Sequence, residues 1–440
     1  MCKGYGNIRY FYLMQEDYLH YLWQFQKFNN LELKTVEGTT VQVNSPGSHN
    51  ELSGPDFFNA RLLIGGQEWA GNVEIHLRSS DWYMHGHETD PAYDNVILHV
   101  VWEHDVEIFR KDNSPLAVVE LKDLIPSENF DAYRNLRSDN SLKWINCQED
   151  FSLVDDFLLN NWLERLYVEK LEKRSALIQE LLSKAAGDWE AVLFQMLAKN
   201  FGLNVNGEAF LSIATSIPFK VTRKLHLLQL ESLLLGQAGL LSGSHEEPYF
   251  LLLKEEYLFL KHKLKLSSDG VVPVKYFRLR PDNFPELRLV QLAAVYHKQR
   301  SLFSSLQKCK NSQQVYDLFN TDVSEFWNSH FTFTRKHSPR KKKLTYQFLD
   351  LLIINTVVPI QFSYLKNKGK EGFEKVLPLI ESIAPEKNEV IRRFRSLRPS
   401  VAPGALQTQA LLQLKKEYCD KKACLKCAVG LKILQQQPQI

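Results

Sequence analysis

Residues 53–78 read SGPDFFNARLLIGGQEWAGNVEIHLR, and their hydrophobic period decides how the N-terminal part folds. Two alternating runs, Phe57–Ile64 and Trp69–Leu77, flank Gly65-Gly66, a dipeptide suited to a tight hairpin turn. In the second run a period of two sends Val73, Ile75 and Leu77 to one face and Asn72, Glu74, His76 and Arg78 to the other. A strand covered on both sides should be apolar on both. Buried polar side chains without partners are costly, so the polar face either meets water or lines a site.

Asp56 stands just before the first run, and a hairpin brings it to the same end of the sheet as Glu74. Two carboxylates with a carbonyl and waters form the hard-oxygen set that holds Mg²⁺ or Mn²⁺. His76 shares the face of Glu74 and is placed to activate or position a water. A metal held there polarises a phosphoryl oxygen and lowers the pKa of its bound water. The plain alternative is a turn at Gly54-Pro55-Asp56 with a solvated strand face behind it. His49, His85, His87, His99 and His104 fall in the same region as His76, nearly half of the 13 histidines in the chain. The stretch Asp81-Trp82-Tyr83-Met84-His85-Gly86-His87 is a source of further metal or phosphate ligands.

Outward from this hairpin, a helical pattern runs from Met14 to Phe28, with Tyr18, Leu19, Leu22, Trp23 and Phe25 on a broad apolar face. Further alternating runs cover Thr39–Asn44, Val96–Glu103 and Leu116–Leu121, and turn chemistry at Ser45-Pro46-Gly47 and Asp112-Asn113-Ser114-Pro115 separates them. The polar and aromatic connection Ser79–Tyr93 joins the third and fourth runs. Helix, three strands, connection and strands predict an α+β protein whose N-terminal domain, residues 1–147, carries a mixed sheet. From Phe151 the period becomes helical. Leu153–Leu182 reads as a long amphipathic helix, followed by patterns at Trp189–Phe201, Lys220–Leu235, Tyr249–Leu264, Leu287–Leu306, Thr345–Asn355, Lys370–Ser382 and Leu406–Tyr418. Residues 148–440 are therefore expected to form an irregular α-helical domain that ends in a cysteine cluster.

The 440 residues are 44% apolar and 24% charged. That balance excludes a disordered tail, a collagenous chain and a disulfide-rich miniprotein. A net charge of +3 demands no polyanionic partner, so any nucleic-acid affinity has to come from a local patch. The N-terminus lacks the pattern of a signal peptide. The most apolar run, Leu349 to Phe362, is about 14 residues and too short to cross a bilayer. A cytoplasmic protein is expected, with nucleic acid as a candidate partner and a membrane excluded as one.

Cysteines in such a compartment stay reduced, and clustered ones point to metal. Cys419, Cys424 and Cys427 follow the spacing C-x₄-C-x₂-C, which lets successive thiolates face one centre of Zn²⁺ or an iron–sulfur cluster. Cys147 is the expected fourth ligand. Arg335–Lys343, with six Lys/Arg in nine residues, and the arginines Arg278, Arg280 and Arg288 offer phosphate contacts or structural ion pairs.

Pro55-Asp56 followed by Glu74-x-His76 resembles the Pro-Asp…(Asp/Glu)-x-Lys signature of the restriction-endonuclease-like phosphodiesterases, and the element order is similar to their core. The resemblance implies Asp56 and Glu74 as metal ligands, with Glu16 as a supporting acid. It departs at His76, which occupies the position of the catalytic Lys. The cysteine staple is similar to that of some nucleases of the recombination-helicase type, although there the early Cys precedes the nuclease core. Ser53–Asn59, Trp69–Asp81, Asp94–Asp105, Arg278–Arg288 and Cys419–Gly430 together resemble a bacterial family known as domain of unknown function 2851, which brings no activity or catalytic residue with it. The expectation is a metal-dependent nuclease acting on DNA or RNA. The alternative is a catalytically inactive nucleic-acid-binding or scaffold protein with a nuclease-like core.

Overall fold

The computed structural model describes residues 14–29, 33–50, 52–125, 130, 131, 133, 134, 136 and 143–435; Cys2 lies outside them. The chain forms two compact units, Met1–Trp162 with Leu414–Ile440, and Leu163–Gln413. The break falls at Trp162, where the sequence reading put it at 147. The cysteine-bearing tail returns to the N-terminal unit instead of closing the helical one.

The first unit opens with helix α1, Glu16–Gln24, whose first turn carries Glu16 and Asp17 and so favours the positive end of the helix dipole. Its Tyr18, Leu19, Leu22 and Trp23 are buried, and it packs against strand β4. The strands are β1 Val41–Ser45, β2 Ser48–His49, β3 Phe57–Ile64, β4 Gln67–Arg78, β5 Val96–Glu103 and β6 Val118–Glu120. They form one sheet in the order β1-β3-β4-β5-β6, with β2 paired to β3. The β1–β3 and β3–β4 pairs are antiparallel, whereas β4–β5 and β5–β6 are parallel. The sheet is mixed, as the run order predicts.

Gly65 and Gly66 both take positive φ, 60° and 84°, the backbone that a two-residue hairpin requires and that side chains with a Cβ disfavour. The turn sets Ile64 opposite Gln67. Since side chains alternate, this register fixes which residues of β4 share a face with Glu74. Between β4 and β5 the chain forms a short helix α2, Asp81–Met84, and Trp82 enters a core with Val96, Val101, Ile108, Leu116 and Val118.

The second unit is helical throughout its described elements. Helix α3, Asp156–Lys184, begins in the first unit and leads into it. Three of its helices, Leu203–Thr215, Ser312–Phe319 and Glu389–Leu397, escape the sequence reading. The first follows Gly202 directly and includes Asn204, Asn206 and Gly207, which blur a helical period.

Leu349–Phe362 sits inside a longer helix, Tyr346–Asn367, of 22 residues. Length and composition alone would let that helix cross a membrane, but 72% of its most apolar window is buried within the protein, the environment of a core helix. Pro359 lacks an N–H and so cannot bond the carbonyl of Asn355, and the ladder loosens into a π stretch over Ile353–Val357. Side chains take up carbonyls there. Arg174 donates to Ile354 O at 2.9 Å, and Asn200 Nδ2 donates to Asn355 O at 3.5 Å.

Candidate functional site

The polar face of β4 is not a wet face. Glu74 is 4% and His76 2% exposed, while Val73 and Ile75 on the opposite face are also buried. The solvated-strand alternative therefore fails, and the buried polar groups must be satisfied locally. His99 of β5 is the register partner of Glu74 and interrupts an otherwise apolar strand. Its Nε2 lies 2.8 Å from His76 Nδ1, which leaves His76 Nε2 facing the other way.

On that side stand Glu74 Oε1 at 3.4 Å and His85 Nδ1 at 3.1 Å. His87 Nε2 is also 3.4 Å from Glu74 Oε1 and has no hydrogen-bond partner among the described residues. Ligands at about 2.0–2.1 Å from one tetrahedral ion stand roughly 3.3 Å apart, close to these spacings. Among the described residues, His76, His85 and His87 form the one set of three or more such side chains whose ligand atoms all lie within 4.8 Å of one another. His85 is exposed and the His87 side chain is 10% exposed, so the cluster opens to solvent on the side of the α2 loop.

That loop is held firmly. Asp105 accepts bonds from the Ser80 N–H, Ser80 Oγ and Ser79 Oγ at 2.7–2.9 Å, and Asp81 Oδ2 accepts from the Arg78 N–H. The His87 ring stacks on Tyr93 at 3.8 Å, which fixes its plane.

Asp56 and Glu74 do meet. The Asp56 N–H donates to Glu74 Oε2 at 3.1 Å, and Asp56 Oδ2 accepts from the Ile75 N–H at 3.0 Å. His20, one turn after Glu16 on α1, places Nε2 3.2 Å from Asp56 Oδ2, with side chains 20% and 21% exposed. The sequence reading missed His20. Its signal was an i, i+4 Glu-His pair on the helix opposite the hairpin.

The electrostatics follow from burial. Burial, then the neighbouring Asp56 charge, pushes the Glu74 carboxyl up to about 7, against the opposing pull of His87. His76 is driven down to about 3, by burial first and then by His87, His85 and His20. Burial, with His76 and His87 beside it, also holds His99 well below the ordinary imidazole range. Burial and then Asp56 raise Glu16. At neutral pH His76 and His99 are thus uncharged imidazoles, the form that ligates metal.

In the same unit Cys147, Cys419, Cys424 and Cys427 line one cavity with Asn146, Tyr418 and Gly430. Cys309 belongs to the helical unit, and Ser305 O is 3.5 Å from its sulfur. Burial, and then the neighbouring thiols, raises Cys147 and Cys419. Of the basic stretches only Arg288 and Lys342 are built into packing, while Arg278, Arg280, Arg335, Lys336, Arg340, Lys341 and Lys343 are exposed. Arg288 is 8% exposed, lies 3.7 Å from the Phe348 ring and donates to Gln291 and Asn283. Within Arg335–Lys343, Lys342 is buried 3.6 Å from the Phe331 ring and Arg340 pairs with Asp282. A cavity of about 800 Å³ lined by Asn44, Arg61 and Trp69 of strands β1, β3 and β4 contains none of the ligand residues.

Fold and cluster together define an α+β protein with a mixed sheet and a histidine–carboxylate centre of ligand geometry. The chain belongs to the family described as "Protein of unknown function (DUF2851)", which it matches over residues 16–389. The match includes Asp56, Glu74, His76, His85, His87 and Cys147 and ends before Cys419. No curated protein and no solved structure matches the chain.

Proposed function

We propose that the N-terminal unit is a metal-dependent phosphodiesterase acting on nucleic acid, with His76, His85, His87 and Glu74 as the residues that hold the ion. The observation that carries this reading is the cluster of His76, His85 and His87, whose ligand atoms lie within 4.8 Å of one another, with Glu74 Oε1 3.4 Å from His76 and His87 and the centre open at His85. The reading is supported by the resemblance of the element order to the restriction-endonuclease-like core and of Pro55-Asp56 and Glu74-x-His76 to its signature. Imidazole donors suit Mn²⁺ and other transition metals better than Mg²⁺, which prefers oxygen. A divalent ion held there supplies a polarised phosphoryl oxygen and a bound water of lowered pKa.

The remaining residues divide the work. His76 has both ring nitrogens engaged, by His99 on one side and by His85 and Glu74 on the other. This is the setting of a ligand or positioning residue, since a general base needs a nitrogen that substrate or water can reach. The Asp56–His20 pair has side chains 20% and 21% exposed, with His20 Nε2 itself buried against Asp56, and stands next to Glu74. It is the dyad placed to exchange a proton with the attacking water or the leaving oxygen. Glu16 lies near enough to feel the Asp56 charge and supports that dyad.

The test is cleavage of single- and double-stranded DNA and RNA by the full chain with Mn²⁺, Mg²⁺, Co²⁺ or Zn²⁺. Cleavage in Mn²⁺ that EDTA and Glu74→Gln both abolish is the expected result. A protein shown to bind metal but to cleave none of these polymers overturns the reading. One observation favours a second reading: the engaged His76 leaves the Lys position of the signature without a mobile cation. A nucleic-acid-binding protein without cleavage would then show salt-sensitive retention of the polymer alone.

A further inference from the structure

The four described cysteines of the first unit reach one cavity from two distant parts of the sequence. Cys147 follows Asn146, whose Nδ2 lies 3.9 Å from Cys424 Sγ. Cys419 ends a π-helical stretch, Leu414–Cys419. Lys422 then takes φ 54°, and the N–H groups of Lys422 and Ala423 return to Cys419 O and Tyr418 O at 3.1 and 2.9 Å. This reversal points Cys424 back toward Cys419. Cys427 directly precedes the last helix, Ala428–Gln435, and the backbone N–H groups of Val429 and Gly430 bond its sulfur. A Cβ on Gly430 would lie 2.2 Å from Cys424 O, so only glycine lets that helix press so closely on the turn bearing Cys424.

The spacing of the sulfurs discriminates between metals. Four thiolates at about 2.3 Å from one Zn²⁺ stand roughly 3.8 Å apart. Among the described residues no three of these sulfurs lie within 4.8 Å of one another, a limit that His76, His85 and His87 meet. The cavity they line has about 20 Å³ of free space, on a measure by which one water needs roughly 10–15 Å³. Sulfurs drawn in around a single ion leave no such room between them. A cubane iron–sulfur cluster holds its four cysteine sulfurs farther apart than a single ion does, in keeping with the wider spacing found here. Backbone N–H bonds to a ligand sulfur, as at Cys427, are among the contacts that tune such a cluster.

We propose that Cys147, Cys419, Cys424 and Cys427 hold a [4Fe–4S] cluster that fastens the C-terminal segment to the sheet-bearing unit. Each thiol gives up its proton to bind one iron. The cluster acts as a clasp, and its site is separate from the histidine centre.

The test is anaerobic purification of the full chain, followed by reconstitution with ferric iron, a thiol reductant and sulfide, and assay of iron, acid-labile sulfide, zinc and the visible spectrum. About four irons and four sulfides per chain are expected, with a broad band near 400 nm that dithionite bleaches. Cys424→Ser should lose the band, and Cys309→Ser should keep it. If Cys424→Ser fails to fold, the wild-type stoichiometry still decides. One zinc per chain with no sulfide, or no uptake of iron on reconstitution, overturns the assignment.

Discussion

Asp56 and Glu74 hold each other through backbone amides. The Asp56 N–H donates to Glu74 Oε2 at 3.1 Å, and Asp56 Oδ2 accepts the N–H of Ile75, the residue after Glu74, at 3.0 Å. Each carboxylate thus spends one oxygen on fixing the other strand. Glu74 Oε1 is left to face His76 and His87 at 3.4 Å. Replacing Glu74 by Gln keeps the shape but places an amide N–H₂ at one of the two oxygen positions. If the nitrogen takes the Oε1 position it faces the metal cluster; if it takes Oε2 it confronts the Asp56 N–H. Metal affinity should fall by at least 10-fold, and isothermal titration with Mn²⁺ or Co²⁺ measures it.

His85 and His87 come from the α2 loop; His85 is exposed, so its removal should spare the fold, whereas the His87 ring is packed on Tyr93 and Trp82 and its removal also costs packing. His85→Ala and His87→Ala should each weaken Co²⁺ binding by about 100-fold. The visible ligand-field bands of bound Co²⁺ should shift toward those of an oxygen-richer set, while the thermal midpoint of His85→Ala without metal changes little.

His99 never touches the proposed ion and works through His76. It is fully buried and its Nε2 stands 2.8 Å from His76 Nδ1. His99→Phe should destabilise the unit by about 1–3 kcal/mol, the cost of leaving His76 Nδ1 unpartnered. It should also reduce metal affinity roughly 10–100-fold, the usual cost of losing an outer-shell partner. Partial rescue by His99→Gln, followed by chemical denaturation and metal titration, would separate lost hydrogen bonding from lost packing.

These predictions mark what the sequence made legible. The strand runs at Phe57–Ile64, Val96–Glu103 and the Gly65-Gly66 turn were readable because alternation and glycine chemistry are local. Asp56, Glu74 and the His85–His87 stretch stood out for the same reason: polar side chains where a covered strand or a short connection did not need them. His20 was missed although Glu16 stands four residues before it, because that pair does not tell which side chain lies opposite; only the fold brings Asp56 there. The role of His76 was equally hidden, since only the parallel pairing of β4 with β5 brings His99 to its other nitrogen. Tail and N-terminal unit are joined through contacts between residues nearly three hundred positions apart, such as Asn146 with Cys424, which no periodicity reveals.

The helical unit offers a pH test. Glu231 is buried and accepts from Tyr249 Oη, Ser324 Oγ and Trp327 Nε1 at 2.6, 2.7 and 3.2 Å. Burial raises its pKa, and the three donors only partly offset that. For an acid raised on folding, the folded state binds its proton more tightly. The stability linked to that proton is therefore present below the unfolded pKa and is lost as pH rises toward the folded value. Glu231→Gln cannot ionise, so its thermal midpoint relative to wild type should climb as pH increases above about 4.5. An offset that stays constant with pH would contradict this assignment.

Arg174 covers the carbonyl of Ile354 and the side chain of Asn355 where the Pro359 helix widens. Arg174→Met keeps much of the stem and removes both donors. A loss of about 1–3 kcal/mol is expected, read from urea denaturation with the slope unchanged.

The account rests most heavily on the claim that the buried polar face of β4 is a metal centre. Crystals soaked in Mn²⁺ and measured at the manganese absorption edge test it directly. An anomalous peak bonded to His76 Nε2, His85, His87 and Glu74 is the predicted result, at about 2.0–2.2 Å from each. A map with no peak among those side chains, at Mn²⁺ concentrations that fill other sites, would contradict it.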